Sequence, residues 1–104
     1  MLDSTIVVGH GIVMYVRGSP SATVDGSGSV RLFKVATGGT LHLSDLVLTR
    51  GYAVDNGGAV YVESRAVASI MSCTFTNNTA FYYGGGVANN GNVTNMSDCM
   101  FTSN

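Results

Sequence analysis

Tryptophan is absent from this chain, proline occurs once, and cysteine occurs only twice among 104 residues. No second cysteine or histidine lies at metal-ligand spacing, which argues against a zinc site. Two cysteines also leave the redox compartment open. No run of about 18 apolar residues exists, so we expect no helix that spans a bilayer.

Charge is scarce as well. Charged residues make up 11% of the chain, and the formal net charge is −1, whereas globular proteins usually contain about 25% charged residues. This balance gives no electrostatic reason to expect binding to nucleic acid or to an anionic membrane. What the chain does contain is glycine, serine, threonine, asparagine and β-branched residues, which favour a turn-rich β structure without significant helix.

A segment of the chain occurs twice. Gly57 to Val60 reappears as Gly84 to Val87 after a shift of 27, and Cys73 to Asn78 reappears as Cys99 to Asn104 after a shift of 26. A fainter third copy places Leu46 to Thr49 under the first cysteine segment. A period in the range of about 20–50 residues is the signature of a solenoid.

Superposing the copies produces columns that are mostly apolar and alternate with polar residues, as expected for short strands with one face turned inward. With three short strands per copy, this pattern predicts an all-β parallel β-helix of about four coils. The aligned columns are Phe33, Val60 and Val87; Leu41, Ala68 and Thr94; Leu43, Ile70 and Met96; Leu46, Cys73 and Cys99; Leu48, Phe75 and Phe101.

We interpret residues 1–104 as a single module. Residues 1–30 are predicted to form an irregular lead-in coil, followed by coils at 31–56, 57–83 and 84–104. The pattern stops at Asn104, where the preceding copy continues into Thr79 and Ala80. We therefore expect the chain to be a fragment of a longer repeat protein, or to dock a partner at this C-terminal edge.

Structural duties explain most of the repeated residues. Consecutive glycines at a sharp corner supply positive φ and allow close approach of coils, and asparagine tolerates left-handed turns and can hydrogen-bond from coil to coil. The turn residues are Gly57, Gly58, Gly84, Gly85, Asn78 and Asn104. The core ladder comprises Val60, Val87, Cys73, Cys99, Phe75 and Phe101, with both cysteines interpreted as buried thiols rather than as a disulfide.

The paired motifs also resemble a known family. Gly-Gly-Ala-Val followed by Phe-Thr-Asn-Asn, then Gly-Gly-Gly-Val followed by Phe-Thr-Ser-Asn, is similar to the polymorphic outer-membrane protein repeat of chlamydial autotransporter adhesins. The resemblance covers about residues 20–104 and implies a right-handed, single-stranded parallel β-helix. It further implies an adhesive or structural role at a cell surface or outside the cell.

The candidate contact surface consists of aromatic residues in the loops that lead into the glycine corners: Tyr52, Phe81, Tyr82 and Tyr83. Aromatic side chains on loops can grip a protein or a glycan, although they can equally fold over a corner. We identify no catalytic residues, because Asp45 and Asp98 share a repeat position but Ser72 lies between them. We expect no cofactor and no metal.

Two alternatives to a non-catalytic structural or adhesive module remain open at this point. One is a β-helix that binds or processes carbohydrate, as a polysaccharide lyase or hydrolase would. The other is an ice-binding solenoid based on the outward column of Thr49, Thr76 and Thr102.

Overall fold

The computed structural model describes residues 4–97 and 99–102, and within these ranges its regular secondary structure is entirely β. Asn104 and Asp98 therefore lie outside the described residues. The strands are β1 Ile6–Val8, β2 Val13–Asp25, β3 Phe33–Val35, β4 Thr40–Thr49, β5 Tyr52–Ala53, β6 Val60–Val62, β7 Val67–Met71, β8 Thr74–Thr76, β9 Thr79–Ala80, β10 Val87–Asn89, β11 Asn92–Ser97 and β12 Met100–Thr102.

All strand pairs are parallel, and they stack into three faces of a solenoid. The first face has the order β1-β3-β6-β10. Strands β2 and β4 are long enough to turn a corner, so their first halves join β7 and β11 on the second face, and their second halves join β8 and β12 on the third face. This topology confirms the predicted parallel β-helix.

The number of coils differs from the prediction. The chain completes about three turns of the solenoid, not about four. Four strands do stack on the first face, but only three complete windings separate Ile6 from Val87. The winding that begins at Val87 is not completed within the described residues, and counting it as a full coil caused the overestimate.

Left-handed residues recur at the corners with the same period as the sequence repeat. Positive φ occurs at Gly11, Gly38 and Arg65, at Asp45 and Ser72, at Arg50 and Asn77, and at Gly57 and Gly84. Members of each set are 27 residues apart. Because a residue with positive φ bends the backbone away from the extended path, each set turns the chain at the same place in successive coils. The periodic corners keep the strands in register.

The core is the interior of this cylinder, and it is filled by side chains from all three faces. Ladders of equivalent residues run through it, since each inward side chain stacks on its counterpart about 4.8 Å away in the next coil. The completely or almost completely buried apolar residues are Val8, Leu32, Phe33, Val35, Leu41, Leu43, Leu46, Leu48, Ala53, Ala59, Val60, Val62, Ala66, Ala68, Ile70, Cys73 and Phe75.

One predicted column is wrong. Ala68 pairs with Val93, not with Thr94, because β11 contains a register shift between Val93 and Asn95. The connection between β6 and β7 spans residues 63–66, whereas the equivalent connection before β11 spans only 90–91. The bulge restores one of the two missing residues, and Met96 then returns to its predicted place beside Ile70.

Candidate functional site

The two glycine corners stack directly on each other. Gly57 and Gly84 have φ of 72° and 67°, a region that favours glycine. The N–H of Gly58 donates to the carbonyl oxygen of Gly84 at 3.1 Å, and the N–H of Ala59 donates to that of Gly85 at 3.2 Å. A Cβ atom at Gly58 would lie 2.7 Å from the backbone nitrogen of Thr79. The repeated glycines therefore permit coil-to-coil bonding at the corner.

Arg31 stabilises the first of these corners by hydrogen bonds to its backbone. Its guanidinium donates to the carbonyl oxygens of Gly57 at 3.0 Å and Asn56 at 2.7 Å, and it also pairs with the Asp55 carboxylate. The same group lies 5.1 Å from the ring centroid of Tyr61. With its side chain only 13% exposed, Arg31 has its donors directed at the protein's own backbone, which is a structural role.

Asn78 ties two coils together through its side chain. Its Oδ1 accepts from the N–H of Gly51 at 2.8 Å, and its Nδ2 donates to the carbonyl oxygen of Leu48 at 3.0 Å. Gly51 occupies the equivalent position in the preceding coil, and any Cβ there would lie 3.0 Å from Oδ1 of Asn78. The missing side chain at Gly51 thus makes room for the backbone carbonyl of Gly58, whose carbon would lie 2.9 Å from that Cβ, and for the amide of Asn78, which is 1% exposed.

Three consecutive aromatic side chains project into solvent just before the second glycine corner. We call Phe81, Tyr82 and Tyr83 the aromatic surface; they are 68%, 66% and 75% exposed. The rings of Phe81 and Tyr82 meet edge to face with centroids 5.1 Å apart. Val54, which is one repeat before Phe81, is 72% exposed. These side chains do not fold over the corner.

The backbone beneath the aromatic surface is firmly held. The N–H of Phe81 donates to the carbonyl oxygen of Ala53 at 3.0 Å, and the N–H of Tyr82 donates to that of Asp55 at 2.9 Å. The N–H of Tyr83 donates to Oδ1 of Asn56 at 3.1 Å. The segment therefore copies the path of the coil before it, and its rings are displayed on ordered backbone.

Tyr52, the fourth residue of the predicted contact surface, has a different environment. It is half-buried in β5, where it pairs with Thr79, and its N–H donates to the carbonyl oxygen of Val30 at 2.8 Å. Within the described part of the chain it makes no ring contact with the other three aromatic residues. Tyr52 lines a separate small cavity together with Val30 and Asp55.

The predicted core ladder is assembled as register pairs. Val60 pairs with Val87, and Phe75 pairs with Phe101, whose ring centroids are 4.7 Å apart at 5° between planes. Phe101 nevertheless remains 46% exposed, because it belongs to the last described coil.

Cys73 is buried and Cys99 is half-buried, and both are free thiols. Burial raises the pKa of the Cys73 thiol, which disfavours the reactive thiolate.

Two surface carboxylates are held in the ionised form. The Arg50 guanidinium, with Nε 2.9 Å from Oδ1 of Asp25, and then the N–H of Ser27 at 2.8 Å lower the pKa of Asp25. The N–H of Asn56 at 2.7 Å, and to a smaller extent Arg31, lower the pKa of Asp55. Both carboxylates therefore favour the folded state when they are charged.

We expect acid to destabilise the fold through these two groups. Because their folded pKa values are depressed, their contribution is complete above the unfolded value of about 3.9 and is lost as pH falls through the lower folded values. At pH values below about 4, the urea concentration at the unfolding midpoint should decrease. This decrease should be smaller in the double variant Asp25→Asn, Asp55→Asn. The control is Asp45→Asn, since Asp45 forms no ion pair with a described residue. An equal drop in all three proteins would contradict the assignment.

The second face carries a feature that the sequence reasoning missed. Tyr15 and His42 are register partners, and their rings stack with centroids 4.4 Å apart at 8° between planes. They line an open groove of about 670 Å³. The sequence does carry a signal for this pair, because the two residues are 27 apart, which is the period of the repeat.

The groove is also lined by Arg17, Asp45, Ser44, Ser69 and Ser72. Asp45 was considered as part of an acid pair with Asp98, which lies outside the described residues.

Among the residues that the structure describes, no group of three His, Cys, Asp or Glu side chains is placed to hold a metal ion. None of the described segments forms a helix long and apolar enough to cross a membrane.

Comparisons with protein-family models, curated proteins and solved structures find no match to this chain.

Proposed function

We propose that this chain is a non-catalytic β-helix module with a structural or adhesive role in a surface, extracellular or assembly-associated protein. The observation that carries the proposal is the aromatic surface, in which three neighbouring rings are at least 66% exposed on hydrogen-bonded backbone. Aromatic residues are enriched at protein interfaces and dominate their binding energy. Ordered backbone reduces the entropy lost on binding, so such a surface suits contact with a protein partner.

A second contact at the C-terminal edge belongs to the same proposal. In the described part of the chain, β10, β11 and β12 each pair on one side only. These strands contain no charged residue and no proline, the usual features that protect an edge from pairing. Met100 and Phe101 are 62% and 46% exposed there. Further coils or a partner strand would cover them.

The adhesive role is tested by measuring binding to a defined panel of immobilised proteins: collagen, fibronectin, laminin and mucin. We expect the chain to bind at least one of them and the triple variant Phe81→Ser, Tyr82→Ser, Tyr83→Ser to bind it at least about tenfold more weakly. The matched control is Val7→Ser with Val13→Ser, since these valines are also exposed, at 55% each, and lie away from the aromatic surface.

Two results would contradict the adhesive role: no binding to any protein of the panel, or equal binding by the triple variant. Light scattering on the same proteins separates the two contacts. Association through the strand edge should persist in the triple variant, because none of the three substituted residues lies in β10, β11 or β12.

A further inference from the structure

The groove on the second face is a place where a column of rings stops. Tyr15 stacks on His42, and the next residue in the same column is Ser69. Successive positions are about 4.8 Å apart, and the hydroxymethyl group of serine is too short to cover an imidazole ring. One face of His42 is covered by Tyr15, and the other is left over the groove that Ser69 lines.

The polar groups around this space are complementary to hydroxyl groups. Arg17 supplies donors and Asp45 supplies acceptors, and neither forms an ion pair with a described residue. Hydroxyls of Ser44, Ser69 and Ser72 add groups that can both donate and accept. The opposite charges of Arg17 and Asp45 leave the groove without a net charge from these side chains.

We propose that this groove binds a neutral saccharide, with one sugar ring occupying the layer beneath His42. The C–H face of the sugar would pack on the imidazole as an apolar surface packs on an aromatic ring. Its hydroxyls would bond to Asp45, Arg17 and the serines, so that no buried polar group is left unpaired. The volume of about 670 Å³ lies within the range of roughly 300–1,000 Å³ for small-molecule sites.

Other flat ligands fit these groups less well. A nucleotide would gain little for its phosphates, because the repulsion by Asp45 offsets the attraction by Arg17 in the same groove. An aromatic side chain of a peptide could stack on His42, but a ring with at most one hydroxyl would leave the hydrogen-bonding groups of Arg17, Asp45 and the serines to water. A saccharide can both pack its C–H face on the His42 ring and bond its hydroxyls to the polar groups. This inference is independent of the aromatic surface, which lies at a different corner of the solenoid.

The test uses tetramers of β-1,4-glucose, α-1,4-glucose, β-1,4-mannose and β-1,4-N-acetylglucosamine, titrated into the whole chain and followed by NMR and calorimetry. We expect at least one tetramer to bind and to shift signals of His42 and Ser69. Ser69→Tyr should extend the ring column into the space and weaken binding by at least about tenfold. Ser69→Ala keeps the space open and removes only one hydroxyl, so it should weaken binding much less than Ser69→Tyr.

Tyr15→Ala provides a second variant whose folding is not at risk, since Tyr15 is 74% exposed; it removes the ring that supports His42 and should also weaken binding. The triple variant of the aromatic surface should bind the tetramer normally. Three results would overturn the proposal: no tetramer binds, binding survives in Ser69→Tyr, or a tyrosine-containing tetrapeptide binds the groove more tightly than every tetramer.

Discussion

Replacing Phe75 with alanine is expected to lower the free energy of unfolding by about 4 kcal/mol, the typical cost of removing a completely buried phenylalanine. Its side chain is fully buried between Leu48 in one coil and Phe101 in the next. A solenoid transmits its stability between neighbouring coils, so a cavity here weakens two interfaces at once. Urea denaturation followed by circular dichroism measures the loss.

Phe101→Ala is the matched control for this prediction. It removes the same side chain from the same column, but Phe101 is already 46% exposed, so we expect it to cost only about 1–2 kcal/mol. If the two variants lost equal stability, the interior ladder would not be the main support of the fold. The total stability of a domain is typically about 5–15 kcal/mol, and Phe75→Ala alone would therefore consume a large part of it.

The second large effect is expected at Asn78. Asn78→Ala removes the buried acceptor of the Gly51 N–H and one donor to the carbonyl oxygen of Leu48, and a buried group left unsatisfied costs about 1–3 kcal/mol. We expect a loss of about 3 kcal/mol in total. Hydrogen exchange adds a local readout, since the amide of Gly51 should lose protection more than the amides of the first face.

Asn77→Gly is the control for Asn78. Asn77 is exposed and has φ of 57°, a conformation that glycine adopts readily, so stability should change by less than about 0.5 kcal/mol. Unchanged protection of Gly51 in Asn78→Ala would show that the side-chain bridge between the coils does not hold that amide.

The repeat was sufficient to predict which residues share a column wherever successive coils have the same length. Phe33, Val60 and Val87 align because a constant period places equivalent residues one above another. The prediction failed at Thr94, where the connection before β11 is two residues shorter and a bulge restores only one. The effect of a shorter loop or of a bulge on register is defined only relative to the neighbouring strand, so a single copy of the motif does not reveal it.

The candidate sites were harder to predict from the sequence than the apolar columns, because their geometry depends on how successive coils pack. Phe81 and its neighbours could have covered a corner or faced solvent, and backbone bonds to the preceding coil decided the question. Arg31 meets Asp55, and Tyr15 meets His42, only because 24 and 27 residues of chain return to the same place.

Taken alone, the amino-acid sequence determined the fold class, the corner glycines and the apolar ladders, since each is written as a period of side-chain types. Tertiary structure alone decided which rings are exposed, that the column of rings ends at His42, and which polar groups surround the space beneath that ring. The physical reason is that exposure and stacking belong to pairs of coils, and a pair acquires its geometry only when the cylinder closes.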